Sequence, residues 1–127
     1  MQVLRDLQAE YLQKAALINR RIEIVIGIPD KEVMANFKKL PAYRTIPSLV
    51  EYAEAEAEAV NARVWAPQWT LGLQDEAVDR QQAQGRRVFT WTMDIQKNIS
   101  QYINEGRFNG ILSNYPSLIA YTYYARQ

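Results

Sequence analysis

The sequence predicts an α/β fold of parallel (β/α) units, as found in one part of an eight-stranded barrel. Short, apolar segments that predict strands begin near residues 22, 45, 63, 87 and 109 of the 127-residue chain. A helix-forming pattern follows each of them, and this alternation is typical of right-handed crossovers between parallel strands. The chain also begins with a helical pattern that no strand precedes. This favours a piece of a barrel over an open doubly wound sheet of similar length.

The first predicted elements are a helix over residues 3–19 and a strand over residues 22–28. The helix has apolar residues at spacings of three and four, which give one stripe. The residues of this stripe are Val3, Leu7, Tyr11, Ala15 and Ile18. The strand is dense in isoleucine and valine and nearly all apolar, so we expect it to be covered on both faces and ended by Gly27 and Pro29.

The next predicted helix begins after Asp30, whose carboxylate can cap it, and Pro41 stops it. Its inner face consists of Val33, Met34, Phe37 and Leu40. A short strand over residues 45–49 follows. The stretch EYAEAEAEAVNA then predicts a helix, because Ala and Glu are helix formers and poor strand residues. Its inner stripe consists of Leu49, Ala53, Ala57 and Val60, and we expect its glutamates to be a solvated face rather than a metal site.

The third strand is predicted over residues 63–66 and leads into Pro67, Gln68 and Trp69. A helix over residues 75–84 follows, and Gly85 takes the usual position just after its end. The fourth strand, residues 87–93, reads RVFTWTM. We expect the Arg86–Arg87 pair in front of it to be solvated.

The next predicted helix is capped by Asp94 and ended by Gly106, and a strand over residues 109–113 follows it. A final helix is capped by Ser117 and reaches about Arg126. The inner face of the first of these helices consists of Ile95, Ile99, Tyr102 and Ile103. On the final helix, the three tyrosines Tyr121, Tyr123 and Tyr124 either pack against the barrel wall, which their helical spacing favours, or form an interface patch.

Composition limits the function further. The hydrophobic content of 48% and charged content of 23% are ordinary for a globular protein, and we predict a single domain over residues 1–127. The net charge of +1 gives no electrostatic reason to expect nucleic acid or an anionic membrane as a partner. No apolar run approaches the roughly 20 residues of a membrane span. Polar residues throughout residues 1–20 argue against a signal peptide. No motif indicates a cell compartment.

The chain contains no cysteine and no histidine. Disulfides, thiolate nucleophiles and the commonest general base are therefore excluded. Any metal site would have to use Asp, Glu or carbonyl oxygens.

Two motifs near the C-terminus carry a resemblance to a known family. Residues 85–94 read GRRVFTWTMD, and residues 106–116 read GRFNGILSNYP. Together they resemble the C-terminal signature of the glycerophosphodiester phosphodiesterase family, a G-x-x-V-x-x-W-T-V-N strand, a helix, and then G-V-D-G-I-I-T-D-Y-P. The resemblance extends loosely over about residues 22–120, with 26–40 and 74–84 as its weaker parts.

The resemblance implies the C-terminal portion of a TIM-type (β/α)8 barrel. The family hydrolyses glycerophosphodiesters to glycerol 3-phosphate and an alcohol, which implies a place in lipid metabolism. It uses two histidines as acid and base and a divalent metal, Ca or Mg, held by carboxylates. These lie in the family's first half and none is matched here, so the chain supplies no catalytic residue and no metal ligand and is expected to be inactive alone. Glu23–Ile24 resembles part of the family's E-I-K strand, but Val25 replaces the lysine.

Substrate-binding candidates follow from the barrel, because active sites lie at the C-terminal ends of the strands. The resemblance makes Trp91 a wall of the pocket against the glycerol moiety, with Thr92, Ser113 and Asn114 near the mouth. The alternatives are that Trp91 lies in the core and that Ser113 and Asn114 serve capping and turn formation. Trp65, Gln68 and Trp69 either face the mouth or pack within a loop.

Four positions depart from the family motifs, and their chemistry suggests positioning roles. Asp94 stands where Asn is usual, Asn109 and Asn114 stand where Asp is usual, and Ser113 replaces Thr. Exchanging Asp for Asn keeps size and hydrogen-bonding reach but changes charge.

Three functions remain open. The first is the C-terminal part of a phosphodiesterase that acts on a glycerophosphodiester through the complete barrel. The second is a non-catalytic truncated barrel for binding or assembly, and the third is an unrelated open α/β module. A receiver-like module needs acidic residues after its first strand and a lysine after its last. Here the first strand ends Gly27-Ile28-Pro29-Asp30, and no lysine follows Ser113. Because five strands cannot close a barrel, open sheet edges predict either a longer polypeptide or self-association.

Overall fold

A computed structural model describes residues 1–18 and 22–126, and the predicted helix end at residue 19 lies outside them. Five parallel strands alternate with helices in an α/β fold. The strands are β1 (Ile26–Ile28), β2 (Ser48–Val50), β3 (Val64–Trp65), β4 (Arg87–Thr90) and β5 (Gly110–Ile111). The α-helices are α1 (Gln2–Leu17), α2 (Lys31–Phe37), α3 (Glu54–Ala59), α4 (Asp75–Ala83), α5 (Gln96–Glu105) and α6 (Pro116–Ala125).

The chain divides into two compact units, Met1–Arg63 and Val64–Gln127. The prediction of a single domain stays a prediction. Across the described ranges, no helix combines the length and the apolar character needed to cross a membrane.

In the first unit, β1 and β2 are parallel neighbours, with Gly27 opposite Leu49. Gly27 therefore lies inside the strand and does not end it, and β1 is shorter than the predicted 22–28. The second strand begins at residue 48 and not 45, because Tyr43–Thr45 form a 3-10 turn. As predicted, Oδ1 of Asp30 accepts a hydrogen bond from the backbone N–H of Val33 at 2.9 Å and caps α2.

The core of the first unit comes from β1, β2 and the predicted faces of α2 and α3. Its fully or nearly fully buried apolar residues are Ile26, Ile28, Met34, Phe37, Leu40, Ile46, Val50, Ala57, Val60 and Ala62. Ala53 precedes α3 and is exposed, because that helix begins only at residue 54.

Helix α1 forms as predicted, but its predicted stripe is exposed at four of five positions. Val3, Leu7, Tyr11 and Ile18 are exposed, and of the stripe only Ala15 is buried. The helix is anchored instead by buried Gln8, whose Nε2 donates to the carbonyl oxygens of Ile24 and Pro47 at 2.5 and 3.2 Å.

In the second unit, β3, β4 and β5 are parallel neighbours in chain order. Phe89 pairs with Gly110 and Thr90 with Ile111. Consecutive order without a reversal is the arrangement of a (β/α) barrel, whereas a doubly wound sheet reverses direction at a switch point. The prediction that the two C-terminal motifs form adjacent parallel strands is confirmed.

Helices α5 and α6 pack around a small core of Met93, Ile99 and Tyr102. Gly85, with φ of +88°, follows α4, and Gly106 ends α5, both as predicted. Two predicted caps are wrong. Asp94 does not cap α5, because its carboxylate is bonded to residues after β5. Ser117 lies inside α6, which begins at Pro116.

Two predicted surface assignments in this unit are also wrong. Ile95, placed on the inner face of α5, precedes the helix and is 62% exposed. Arg86 is not solvated: it is 8% exposed, and its Nη1 donates to Oε1 of Gln81 at 3.2 Å and to Oε1 of Gln84 at 2.5 Å. This follows from the turn at Gly85, which folds Arg86 back so that its N–H reaches the carbonyl of Gln81 at the end of α4. Arg87 is exposed as predicted.

The tyrosines of α6 do not pack against the barrel wall. Tyr121, Tyr123 and Tyr124 are all exposed. The rings of Tyr123 and Tyr124 meet edge to face at 5.2 Å, and the guanidinium of Arg126 lies 3.9 Å from the Tyr123 ring centre. The interface patch that the sequence left as an alternative stays a prediction.

Candidate functional site

The candidate site lies at the rim of the second unit, where β4 and β5 end. Their parallel register brings the segments that follow them to the same edge. The N–H of Leu112 donates to the carbonyl of Thr90 at 2.8 Å, and the N–H of Met93 donates to the carbonyl of Leu112 at 3.0 Å. These bonds extend the pairing beyond the strands and place the WTMD and LSNYP segments side by side.

Asp94 is the hydrogen-bonding centre of this rim. Its Oδ1 accepts from the hydroxyl of Ser113 and from the backbone N–H of Asn114, both at 2.9 Å. Its Oδ2 accepts from Nδ2 of Asn114, also at 2.9 Å. The backbone N–H of Tyr115 donates to the Ser113 hydroxyl oxygen at 2.9 Å. One carboxylate therefore fixes the loop that leads from β5 into α6.

The same contacts set the charge of Asp94. The pKa of Asp94 is lowered first by the side-chain hydrogen bond from Asn114 and then by its backbone hydrogen bond. Burial acts in the opposite direction, and the bond from Ser113 adds a weaker lowering effect. Hydrogen bonds to a carboxylate favour its charged form. Asp94 is thus an ionised acceptor near neutral pH, which suits positioning and not proton donation.

Trp91 is half-buried and held by residues that follow β3. Its indole Nε1 donates to the carbonyl of Ala66 at 2.5 Å, and its own carbonyl accepts from the N–H of Trp69 at 3.0 Å. It also forms a parallel bridge with Gln68. Trp91 therefore stands at the edge of the core with a fixed indole.

The other three predicted site residues divide into two groups. Ser113 and Asn114 are brought together on Asp94, whereas Thr92 is exposed between Trp91 and Met93. The alternative role predicted for Ser113 and Asn114 was capping and turn formation. Ser113 has such a contact, because its hydroxyl oxygen accepts a hydrogen bond from the backbone N–H of Tyr115. The substrate role of all four residues stays a prediction.

The aromatic residues in and after β3 do not gather at the mouth. Trp65 is 2% exposed and belongs to the core. Trp69 packs edge to face on Tyr102 with ring centres 6.2 Å apart, and the Tyr102 hydroxyl donates to the Trp69 carbonyl at 2.6 Å. Burial raises the pKa of Tyr102, so this donor keeps its proton. Trp69 therefore packs within the loop, which was its predicted alternative. Gln68 is exposed.

Asn109 marks the opposite end of the same two strands. Its Oδ1 accepts from the backbone N–H of Val88 at 2.8 Å and from Nε2 of Gln82 at 3.1 Å. Asp94 and Asn109 thus join β4 to β5 at both ends. The sequence marked Asn109 as a departure from the family motifs, and Asp94 as a departure and as a helix cap, and neither signal named their partners.

The first unit has its own polar cluster after β1 and β2. The pKa of Tyr52 is raised by burial first, and then by the nearby carboxylates of Glu56 and Asp30. Glu56 also pairs with Lys38 at 3.4 Å. The phenol therefore stays protonated near these carboxylates.

The donors among the described residues do not fit a divalent metal site. The chain has no histidine, and within the described ranges no group of three or more Asp or Glu residues lies together. Glu23 is paired with Arg63 at 3.4 Å. Both oxygens of Asp94 already accept protein hydrogen bonds.

Comparisons with known proteins show which solved structures share the fold of this chain. No family model matches the sequence, and no curated protein matches it. A solved glycerophosphodiester phosphodiesterase from Parabacteroides distasonis is similar, with a TM-score of 0.64 and 15% identity over 98% of this chain. A Silicibacter pomeroyi structure described as a glycerophosphoryl diester phosphodiesterase has a TM-score of 0.53 and 18% identity over 91% of this chain. This chain spans 53% of the first protein and 34% of the second.

Proposed function

We propose that this chain forms the C-terminal wall of a (β/α)8 barrel that hydrolyses glycerophosphodiesters. The observation that carries the proposal is the pairing of the two motif strands, whose ends Asp94 joins through Ser113 and Asn114. The fold shared with two proteins described as phosphodiesterases supports it. The wall contributes substrate contacts and leaves the acid, base and metal to strands outside the described structure.

The rim residues have distinct roles in this proposal. Trp91, fixed by its bond to Ala66, offers its ring to the apolar C–H groups of the glycerol moiety. The hydrogen of the Ser113 hydroxyl is directed to Asp94, so this side chain offers the substrate only an acceptor. Asn114 keeps its carboxamide oxygen for another donor, since its N–H groups bind Asp94. Thr92 provides an exposed hydroxyl. The set therefore suits glycerol hydroxyl groups, which donate hydrogen bonds.

The remaining chemistry belongs to the intact barrel. Two histidines would act as acid and base, and a Ca or Mg ion would stabilise charge on the phosphoryl oxygens. Because the donors in this chain do not fit such a metal, no step passes through its residues. The isolated chain is expected to bind weakly and to hydrolyse nothing.

The test is a fluorescence titration of the purified chain with glycerophosphocholine. We expect saturable quenching in the wild type, loss of that change in Trp91→Phe, and its retention in Trp69→Phe, since Trp69 is packed on Tyr102. A saturable change that survives Trp91→Phe, or none in the wild type, would contradict the proposal. Turnover by the isolated chain would contradict the assignment of the acid and base to other strands.

The second candidate is a non-catalytic truncated barrel used for binding or assembly. The observation that favours it is the missing acid–base and metal donor set. The coding region upstream of Met1 distinguishes the two candidates. An in-frame H-R-G strand followed by carboxylate-bearing strands favours the enzyme, and its absence favours the non-catalytic protein.

A further inference from the structure

The segment from Ala66 to Trp69, which follows β3, holds Trp91 by both its side chain and its main chain. The indole Nε1 of Trp91 donates to the carbonyl of Ala66 at 2.5 Å, and the Trp91 carbonyl accepts from the N–H of Trp69 at 3.0 Å. Next to it, the hydroxyl of buried Thr90 donates to the carbonyl of Pro67 at 3.0 Å. The place of the indole therefore depends on where this segment lies.

Tyr102 of α5 ties the end of that segment to the helix. Its hydroxyl donates to the carbonyl of Trp69 at 2.6 Å. The same carbonyl also accepts from the N–H of Gly72 at 3.0 Å, which closes the 3-10 turn Trp69–Leu71. A carbonyl oxygen has two lone pairs, so it can accept both bonds. Because the bond from Gly72 closes the turn, the Tyr102 hydroxyl adds the placement of this turn against α5.

The ring of Tyr102 is itself held between two other aromatic rings. Phe108 stacks on it with ring centres 5.8 Å apart and planes at 9°, and Trp69 meets it edge to face. The side chain is 7% exposed and packs with Met93 and Ile99. Since burial raises the pKa of this phenol, the hydroxyl is present as a donor at neutral pH. Such packing leaves the hydroxyl little freedom of direction.

We propose that Tyr102 is a positioning residue for Trp91 and acts on it through the main chain of Trp69. The contacts run from the Tyr102 hydroxyl to the Trp69 carbonyl, and from the Trp69 N–H to the Trp91 carbonyl. Tyr102 is buried and touches no substrate. Its effect on a ligand rests on the proposed function, in which the indole of Trp91 is the wall against the glycerol moiety.

A purely structural role of Tyr102 makes a different prediction. In that case any loosening of the small core around it would disturb Trp91 to a similar extent. Tyr102→Phe keeps the ring contacts and removes only the hydroxyl. Ile99→Val takes one carbon from a fully buried neighbour in the same core and leaves the hydroxyl in place. The two variants therefore separate the placement of Trp91 from the stability of the core.

Fluorine NMR of the chain labelled with 5-fluorotryptophan measures the surroundings of Trp91 directly. The chain contains three tryptophans, and the resonance that disappears in Trp91→Phe belongs to Trp91. We expect Tyr102→Phe to shift or broaden this resonance, because the segment that holds the indole loses its tie to α5. Ile99→Val should leave it unchanged. Tyr121→Phe, which removes a hydroxyl from a side chain that is 64% exposed, should also leave it unchanged.

A fluorescence titration of the same variants with glycerophosphocholine measures the consequence for the ligand. Tyr102→Phe should raise the dissociation constant about two- to tenfold, the range that one hydrogen bond supports. Ile99→Val and Tyr121→Phe should keep the wild-type affinity. Circular dichroism checks that all three variants have the wild-type helix content.

Three results would overturn the proposal. These are an unchanged Trp91 resonance in Tyr102→Phe, an equal change in Ile99→Val, and an unchanged affinity in Tyr102→Phe when the wild type binds. The spectrum of the free chain does not depend on any ligand. A displaced Trp91 resonance together with no binding by the wild type would therefore reject the proposed function and leave the positioning of Trp91 by Tyr102 standing.

Discussion

Asn114 donates two hydrogen bonds to the carboxylate of Asp94, from its backbone N–H to Oδ1 and from its side-chain Nδ2 to Oδ2, both at 2.9 Å. The two side chains follow neighbouring parallel strands, so this contact fixes the relative position of the β4 and β5 ends. The family motifs have Asn at the first position and Asp at the second. The pair is therefore reversed here with its complementarity kept.

This reversal predicts the behaviour of an exchange of the two residues. Asp94→Asn sets two amide N–H₂ groups against each other, and Asn114→Asp sets two carboxylates against each other. Each single variant should lower the melting temperature. The double variant restores one amide donor facing one carboxylate, so it should regain at least about half of the summed loss, since contacting residues do not act additively.

The measurement is thermal unfolding followed by circular dichroism for the four proteins. The control pair is Asp79→Asn with Asn104→Asp, two exposed positions on α4 and α5. It should show additive effects. Additive effects at positions 94 and 114 would mean that the contact has no energetic consequence.

The lowered pKa of Asp94 predicts a dependence of stability on pH. The hydrogen bonds favour the ionised form in the folded state, so they stabilise the fold above the ordinary value of 3.8. This contribution is lost as the pH falls through the folded-state pKa, which lies below 3.8. The difference in unfolding free energy between wild type and Asp94→Asn should therefore be constant near neutral pH and shrink below about pH 4.

Denaturant unfolding at a series of pH values measures this difference. Asn114→Ala removes the first and largest cause of the shift. In that background the loss should be smaller and should be complete at a higher pH, while its onset near the unfolded-state pKa stays the same. A difference that stays constant down to pH 2 would contradict the role of Asp94 as an ionised acceptor.

The sequence predicted the alternation of elements well because periodicity and turn residues are local signals. Gly85 and Gly106 mark helix ends that the structure has, and Asp30 caps α2 as expected. Strand lengths were less accurate. The apolar run from residue 22 to residue 28 is longer than β1, since apolar residues also occur in the loop before it.

Contacts between residues that are far apart in the sequence could not be predicted from local patterns. An aspartate that follows a strand and precedes a helix is a candidate cap, and Asp94 accepts an N–H as a cap would, but from Asn114, twenty residues away. Arg86 and Arg87 are identical in type, yet only the first is turned onto α4. The stripe of α1 has the right spacing for burial, but apart from Ala15 no described part of its unit buries it.

Ile99 and Ile95 form a matched pair for testing the corrected face of α5. Ile99 is fully buried between Met93 and Tyr102, whereas Ile95 is largely exposed. Ile99→Ala should lower the free energy of unfolding by about 2–5 kcal/mol, because it leaves a cavity. Ile95→Ala should change it by less than about 0.5 kcal/mol. Chemical denaturation checks both, and a large effect at position 95 would place that side chain in the core after all.

Arg86 and Arg87 provide the corresponding test at the opposite end of β4. In Arg86→Met, buried Gln81 loses the donor to its Oε1, and leaving a buried acceptor without this bond costs about 1–3 kcal/mol. Methionine keeps most of the aliphatic volume, so the loss comes from the hydrogen bond and not from a cavity. Arg87→Met changes an exposed side chain on the same strand and should cost less than about 0.5 kcal/mol. Equal destabilisation by the two variants, measured by urea unfolding, would mean that Arg86 acts through its charge alone and not through its contact with α4.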